Sequence, residues 1–174
     1  MDMQQFNLLF STFKKSAFRL QNFPSYSSVE GLKEYSRFTA GELFPLRDDL
    51  AMETLIKKAV KSGKKMSRIQ ILPEKMTTYL KFEIEWRYPF SVDAGEDVKF
   101  LLRRNSEYLD LFLNKDFWLL DEKVLVWMNY DAGGNFEGIL EGTGDETLLA
   151  LQYKDHLLAE AISLKEYLAH NRTN

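Results

Sequence analysis

Three acids in this chain have the type and spacing to do chemistry: Glu83, Glu96 and Asp97, with Glu85 and Asp93 as outer members. Two or three converging carboxylates can hold Mg²⁺ or Mn²⁺, hard cations that prefer oxygen, and can activate a water. The competing reading is a solvated one. Gly95 makes a turn, Glu96 and Asp97 flank it in water, and Glu83 pairs with Arg87 four residues on. The solvated reading is preferred, so no metal and no cofactor are assigned. Arg19 is the other candidate. Its planar fork suits a phosphate or a carboxylate ligand, although an internal acid is the commoner partner, with Glu83 or Glu96 foremost. The candidate ligand-binding residues are therefore Arg19, Glu83, Glu96 and Asp97.

Other sets read as structure. Lys57, Lys58, Lys61, Lys64, Lys65 and Arg68 form a basic run without interleaved aromatics, at a predicted helix C-terminus where the dipole favours cations. A solvated helix end is preferred to a nucleic-acid patch. Phe117, Trp118, Trp127, Tyr130 and Phe136 fall on predicted strands, where most such rings are core. His156 has no nucleophile or second histidine nearby and reads as a boundary residue.

The composition closes many classes. The chain has 174 residues, no cysteine and two histidines, with a formal charge of −3. Thiol catalysis, disulfides and thiolate zinc sites are excluded. HExxH, GxGxxG, the Walker loop and GxSxG are absent. The slight acidic excess argues against a general phosphate-backbone binder. No apolar run approaches the roughly 18 residues of a membrane span. "MDMQQF" lacks the basic and apolar regions of a secretory signal, so the expected location is the cytoplasm.

These residues must be positioned by predicted elements. Residues 3–22 read as an amphipathic helix carrying Phe6, Phe10, Phe13, Ala17 and Leu20 on one face, capped by Asp2 and ended by Pro24. Ser27 to Glu30 has capping-box spacing for a second helix, which Gly41 and Pro45 break. Asp48 and Asp49 open a third, stopped by Gly63. Five strands are predicted: 68–72, 98–102, 117–120, 124–129 and 136–140. The last three form an antiparallel meander, with Asp121-Glu122-Lys123 as one tight turn and Gly133-Gly134 supplying positive φ in the next. Residues 79–88 alternate like a strand. They also lie between two strands about 25 residues apart, the room a helical crossover needs, and a helix is preferred. A long helix from 145 to 169 closes the chain, with Thr143 and Glu146 at capping-box spacing.

Several blocks resemble one family: "SAFRL" at 16–20, "RFTAGE" at 37–42, "AGEDVKFL" at 94–101, "DFWLLDEKVLVWMNYD" at 116–131 and "GNFEG" at 134–138. In order and spacing they are similar to a bacterial domain-of-unknown-function family common in actinobacteria, whose members are single domains of this length. The resemblance implies a regulatory or accessory role, because members often occur near helix-turn-helix regulator genes. The family usually has an acid after "SAFRL", where this chain has Gln21. It commonly has an arginine where Trp127 stands.

The expected architecture is one α+β domain over 1–174, a mixed, mainly antiparallel sheet of about five strands packed with N-terminal helices and a long C-terminal helix. The expected function is a non-catalytic interaction or regulatory accessory protein of the bacterial cytoplasm. It would bind a protein partner, such as a helix-turn-helix regulator, or a small ligand, but not nucleic acid or membrane. The alternative is a metal-dependent hydrolase or nuclease using Glu83, Glu96 and Asp97, which requires those carboxylates to converge.

Overall fold

A computed structural model describes residues 1–27, 29–43, 51–103 and 115–171. The element order is α1 (Met3–Thr12), β1 (Ser16–Gln21), α2 (Val29–Thr39), α3 (Ala51–Lys61), β2 (Lys65–Leu72), α4 (Thr78–Phe82), a π-helical turn (Glu83–Arg87) and α5 (Tyr88–Asp93). It continues with β3 (Asp97–Leu102), β4 (Asp116–Leu120), β5 (Val124–Tyr130), β6 (Phe136–Glu141), α6 (Gly144–Glu160), β7 (Ile162–Ser163) and α7 (Leu164–Asn171). All seven strands form one mixed sheet in the order β6-β5-β4-β1-β2-β3-β7. β1, β2 and β3 run parallel; the other pairings are antiparallel.

The sheet has seven strands rather than five because two predicted helices are interrupted. The first helix stops at Thr12, where the Ser11 and Thr12 hydroxyls donate back to the Leu8 carbonyl at 2.8 and 2.7 Å. Residues 16–21 are then a strand buried on both faces. Ala17 joins Phe6, Phe10, Phe13, Ile56 and Met66 on one side. Phe18 and Leu20 join Ile69, Ile71, Phe117 and Leu157 on the other. Arg19 is therefore a strand residue, not a helical one. The predicted C-terminal helix is broken at Ala161, whose ψ of 142° is extended. Ile162 and Ser163 pair with Phe100 and Lys99, and Ser163 caps α7, exchanging bonds with Glu166.

Other elements follow their local chemistry. Asp2 and Gln5 form a capping box on α1, and Thr143 and Glu146 form one on α6. The β4–β5 turn places Asp121 and Glu122 at φ 54° and 58°, with Lys123 N–H donating to the Leu120 carbonyl at 3.0 Å. The Asp121 carboxylate accepts the backbone N–H groups of Lys14, Lys15 and Ser16, tying the turn to the entry of β1. In the next turn Gly134 alone has positive φ, at 78°, and Asp131 accepts from Gly133 and Asn135. Ser28, Pro45, Asp48 and Asp49 lie outside the described residues.

Residues 78–93 are helical, and the alternation there has a simple origin. Leu80, Ile84 and Tyr88, at spacings of four, face the sheet and pack with Leu72, Val98 and Phe100. Phe82 and Trp86 face α2, where their rings meet Tyr35 and Phe38 at 5.4 to 5.7 Å. A helix buried on two sides shows period two as well as period four. The π turn precedes Pro89, which has no N–H and would press on the carbonyl one turn back; widening the turn relieves that contact.

Candidate functional site

One face of the parallel strands changes character along its length. At the amino ends Ala17 and Met66 lie under α1 and α3. Toward the carboxyl ends the same face presents Arg19 and Gln21 on β1, and Arg68 and Gln70 on β2. Parallel register places Arg19 beside Arg68, with Trp118 and Val98 as their outer neighbours. Two adjacent guanidiniums on a buried face need acids, and they obtain them from different elements.

Arg19, 4% exposed, donates from Nη2 to Asp116 Oδ2 at 2.9 Å and to the Tyr130 hydroxyl at 3.2 Å. Asp116 is fully buried and also accepts from the Tyr26 hydroxyl at 2.6 Å and from the Asn22 N–H at 2.7 Å. Burial pushes the Asp116 pKa up, opposed by the Arg19 guanidinium and the Tyr26 and Asn22 donors. Arg68 donates from Nε to Glu96 at 3.1 Å and from Nη1 to the Gln21 amide oxygen at 2.8 Å. Gln70, fully buried, accepts from the Tyr88 hydroxyl at 2.9 Å and donates to the Ile71 and Phe23 carbonyls. Among these groups Arg19 Nη1 and Glu96 Oε2 are buried without a hydrogen-bond partner among the described residues.

Above this polar floor lies a cavity of about 240 Å³. Gln21 and Arg68 contribute from the sheet, Tyr79 from α4, and Glu83 and Arg87 from the π turn. Tyr130 and Phe136 close it from the β5–β6 hairpin, and Tyr26 from the loop after β1. The rings form a chain: Tyr79 to Tyr26 at 6.0 Å, Tyr26 to Tyr130 at 5.1 Å, Tyr130 to Phe136 at 5.6 Å. Glu83 is bonded by the Tyr79 hydroxyl, and burial favours its neutral acid against the pull of Arg87 and Arg68. Burial, followed by the charge on Glu83, also holds the Tyr79 and Tyr88 hydroxyls protonated far above neutrality. Arg87 donates to Glu34 of α2 at 3.2 Å.

The hairpin wall depends on one glycine. Ser27 N–H donates to the Gly134 carbonyl at 3.0 Å, and a methyl group on Gly134 would collide with the Ser25 carbonyl. Gly134→Ala is therefore expected to part the hairpin from the Tyr26 loop and cost about 1–3 kcal/mol, measured by urea denaturation. Gly144→Ala is the control: its Cβ would meet nothing within 4 Å, and stability should hold or rise slightly.

The four sequence candidates do not share one place. Arg19 lies in the floor and pairs with Asp116, not with Glu83 or Glu96. Glu96 pairs with Arg68 beneath the cavity. Glu83 is in the cavity wall. Asp97 is exposed at the amino end of β3, 3.8 Å from Lys99, and lines a separate cleft of about 480 Å³ with Lys64 and Lys65. Among the described residues no three His, Asp or Glu side chains are grouped to hold a metal. Sequence reasoning missed Arg68, which it placed in the solvated basic run. The available signal was the alternation of Arg68 and Gln70 with Ile69 and Ile71 in a strand buried on both faces. Asp116, Tyr26 and Tyr79 carried no such signal.

Fold and site together define a mixed α/β protein with a polar, aromatic-walled cavity at the carboxyl ends of its parallel strands. The chain belongs to the family described as a domain of unknown function (DUF6879), whose model matches residues 4–169. No curated protein matches it. Among solved structures it is similar to NucT from Helicobacter pylori, at 12% identity and a TM-score of 0.47, over 92% of this chain and 91% of that one. So loose a likeness carries no inference about chemistry.

Proposed function

We propose that this protein is a non-catalytic binding domain that takes a small ligand in the cavity between the π turn and the β5–β6 hairpin. The observation that carries this reading is the cavity itself, walled by Arg68, Arg87, Glu83 and a chain of aromatic rings. Catalysis is disfavoured by the state of its groups. Asp116 and Glu96 are each tied to an arginine, burial keeps the Tyr26 and Tyr79 hydroxyls protonated, and Glu83, Glu96 and Asp97 do not converge as a hydrolase or nuclease would require. Arg19 acts from the floor, holding Tyr130 in the wall. A regulatory role in the bacterial cytoplasm, with ligand occupancy passed to a protein partner, fits this reading. The test is native mass spectrometry of the protein purified gently from its own host. A small molecule retained one to one, and lost from Tyr79→Ala, is the expected result; a bare protein that also captures nothing from host extract would sink the proposal.

A further inference from the structure

The hydrogen-bonding character of the cavity wall narrows the ligand, given the binding role just proposed. Arg68 and Arg87 can only donate. Tyr130 accepts from Arg19 at 3.2 Å, so its own hydroxyl proton remains to be given. Among the described residues of the wall, Glu83 is the one acid. The groups facing it are Glu34 from α2, Tyr79 from α4, Arg87 from the π turn itself, Tyr88 from α5 and Arg68 from β2. Burial shifts Glu83 toward its neutral form against the pull of Arg87 and Arg68, and that form donates as well. Arg19, bonded to Tyr130 from the floor, adds in Nη1 a desolvated donor without a partner among the described residues. A wall so rich in donors is complementary to a group that only accepts, and a guanidinium fork matches the paired oxygens of such a group.

We infer that the cavity recognises its ligand through an oxyanion, a carboxylate or a phosphate ester, seated on Arg68, Arg87 and the Tyr130 hydroxyl, with the remainder of the ligand against the Tyr26, Tyr79 and Phe136 rings. Glu83 then sets the pH response. An arriving anion opposes a charged Glu83 and favours its protonated form, so binding takes up a proton and tightens as pH falls. Glu83→Gln removes that opposition and flattens the pH response.

The experiment is isothermal titration of the whole chain with inorganic phosphate, benzoate and the neutral analogue benzamide, at pH 6 and pH 8. Phosphate or benzoate should bind, more tightly at the lower pH, and benzamide should not; whichever anion is preferred identifies the oxyanion. Arg87→Met, a half-buried site whose loss leaves the floor intact, should weaken that binding at least tenfold with an unchanged circular dichroism spectrum. Glu83→Gln should show a smaller difference in affinity between the two pH values than wild type does. Benzamide binding as well as benzoate, or a neutral or cationic molecule found in the cavity by mass spectrometry, would overturn the oxyanion while leaving the binding role in place. Failure of every probe together with a bare native protein would remove both.

Discussion

Asp116→Ala is expected to destabilise the protein by about 3–5 kcal/mol, the usual cost of breaking a buried ion pair by deleting one member. The carboxylate is fully buried and serves three donors from three places: the Arg19 guanidinium, the Tyr26 hydroxyl and the Asn22 N–H. Its removal leaves a guanidinium, already short of one partner, unneutralised beside Trp118. At about 2–4 °C per kcal/mol for a chain of this size, Tm should fall by about 6–20 °C. Differential scanning calorimetry measures it. The double variant Arg19→Met with Asp116→Ala should recover only part, because Tyr26 and Asn22 still lack their acceptor. A loss below about 1 kcal/mol for the single variant would mean that water replaces the carboxylate, and that the floor is not the dry network described.

Glu96→Gln is the second large effect, and it separates structure from ligand binding. The Glu96 side chain is fully buried and the side chain of Arg68 is 12% exposed. Burial alone would lower the pKa of Arg68, and the Glu96 carboxylate leads the groups that raise it instead. An amide keeps the shape and removes the charge, so about 3 kcal/mol should be lost, read as a shifted urea midpoint with an unchanged slope. Arg68 retains the Gln21 oxygen, so residual binding of an anionic probe should persist at low temperature. Binding abolished with stability intact would instead make Glu96 a direct ligand contact.

Much of the fold is legible where local chemistry speaks. The capping boxes at Asp2 and Thr143 follow from residues within one turn of each other, the β4–β5–β6 meander from its two short turns, and the helical crossover before β3 from the spacing of the strands around it. β1 is illegible for a specific reason. "SAFRLQ" is buried on both faces, so polarity does not alternate between core and water, while Phe13, Ala17 and Leu20 keep helical spacing. The break before α7 is legible in retrospect, since Ser163 and Glu166 repeat the capping-box pattern. The site is harder because its pairs are remote. Arg19 and Asp116 are 97 residues apart, and Arg68 meets Glu96 through the register of β2 on β3. Charge and spacing identified Arg19, Glu83 and Glu96 as residues of interest, but only the parallel ladder brings Arg68 beside Arg19.

The position of β1 also bears on how the chain is made. It is made before both of its neighbours, Lys65–Gln70 on one side and Phe117–Leu120 on the other. Until Leu120 has been synthesised, this buried strand has at least one unpaired edge, the situation that invites pairing with other chains. Closure across such separations is slow compared with helix formation. Nascent chains truncated between residues 75 and 115 should therefore aggregate or recruit chaperones, whereas release from that dependence should come abruptly once β4 emerges and docks.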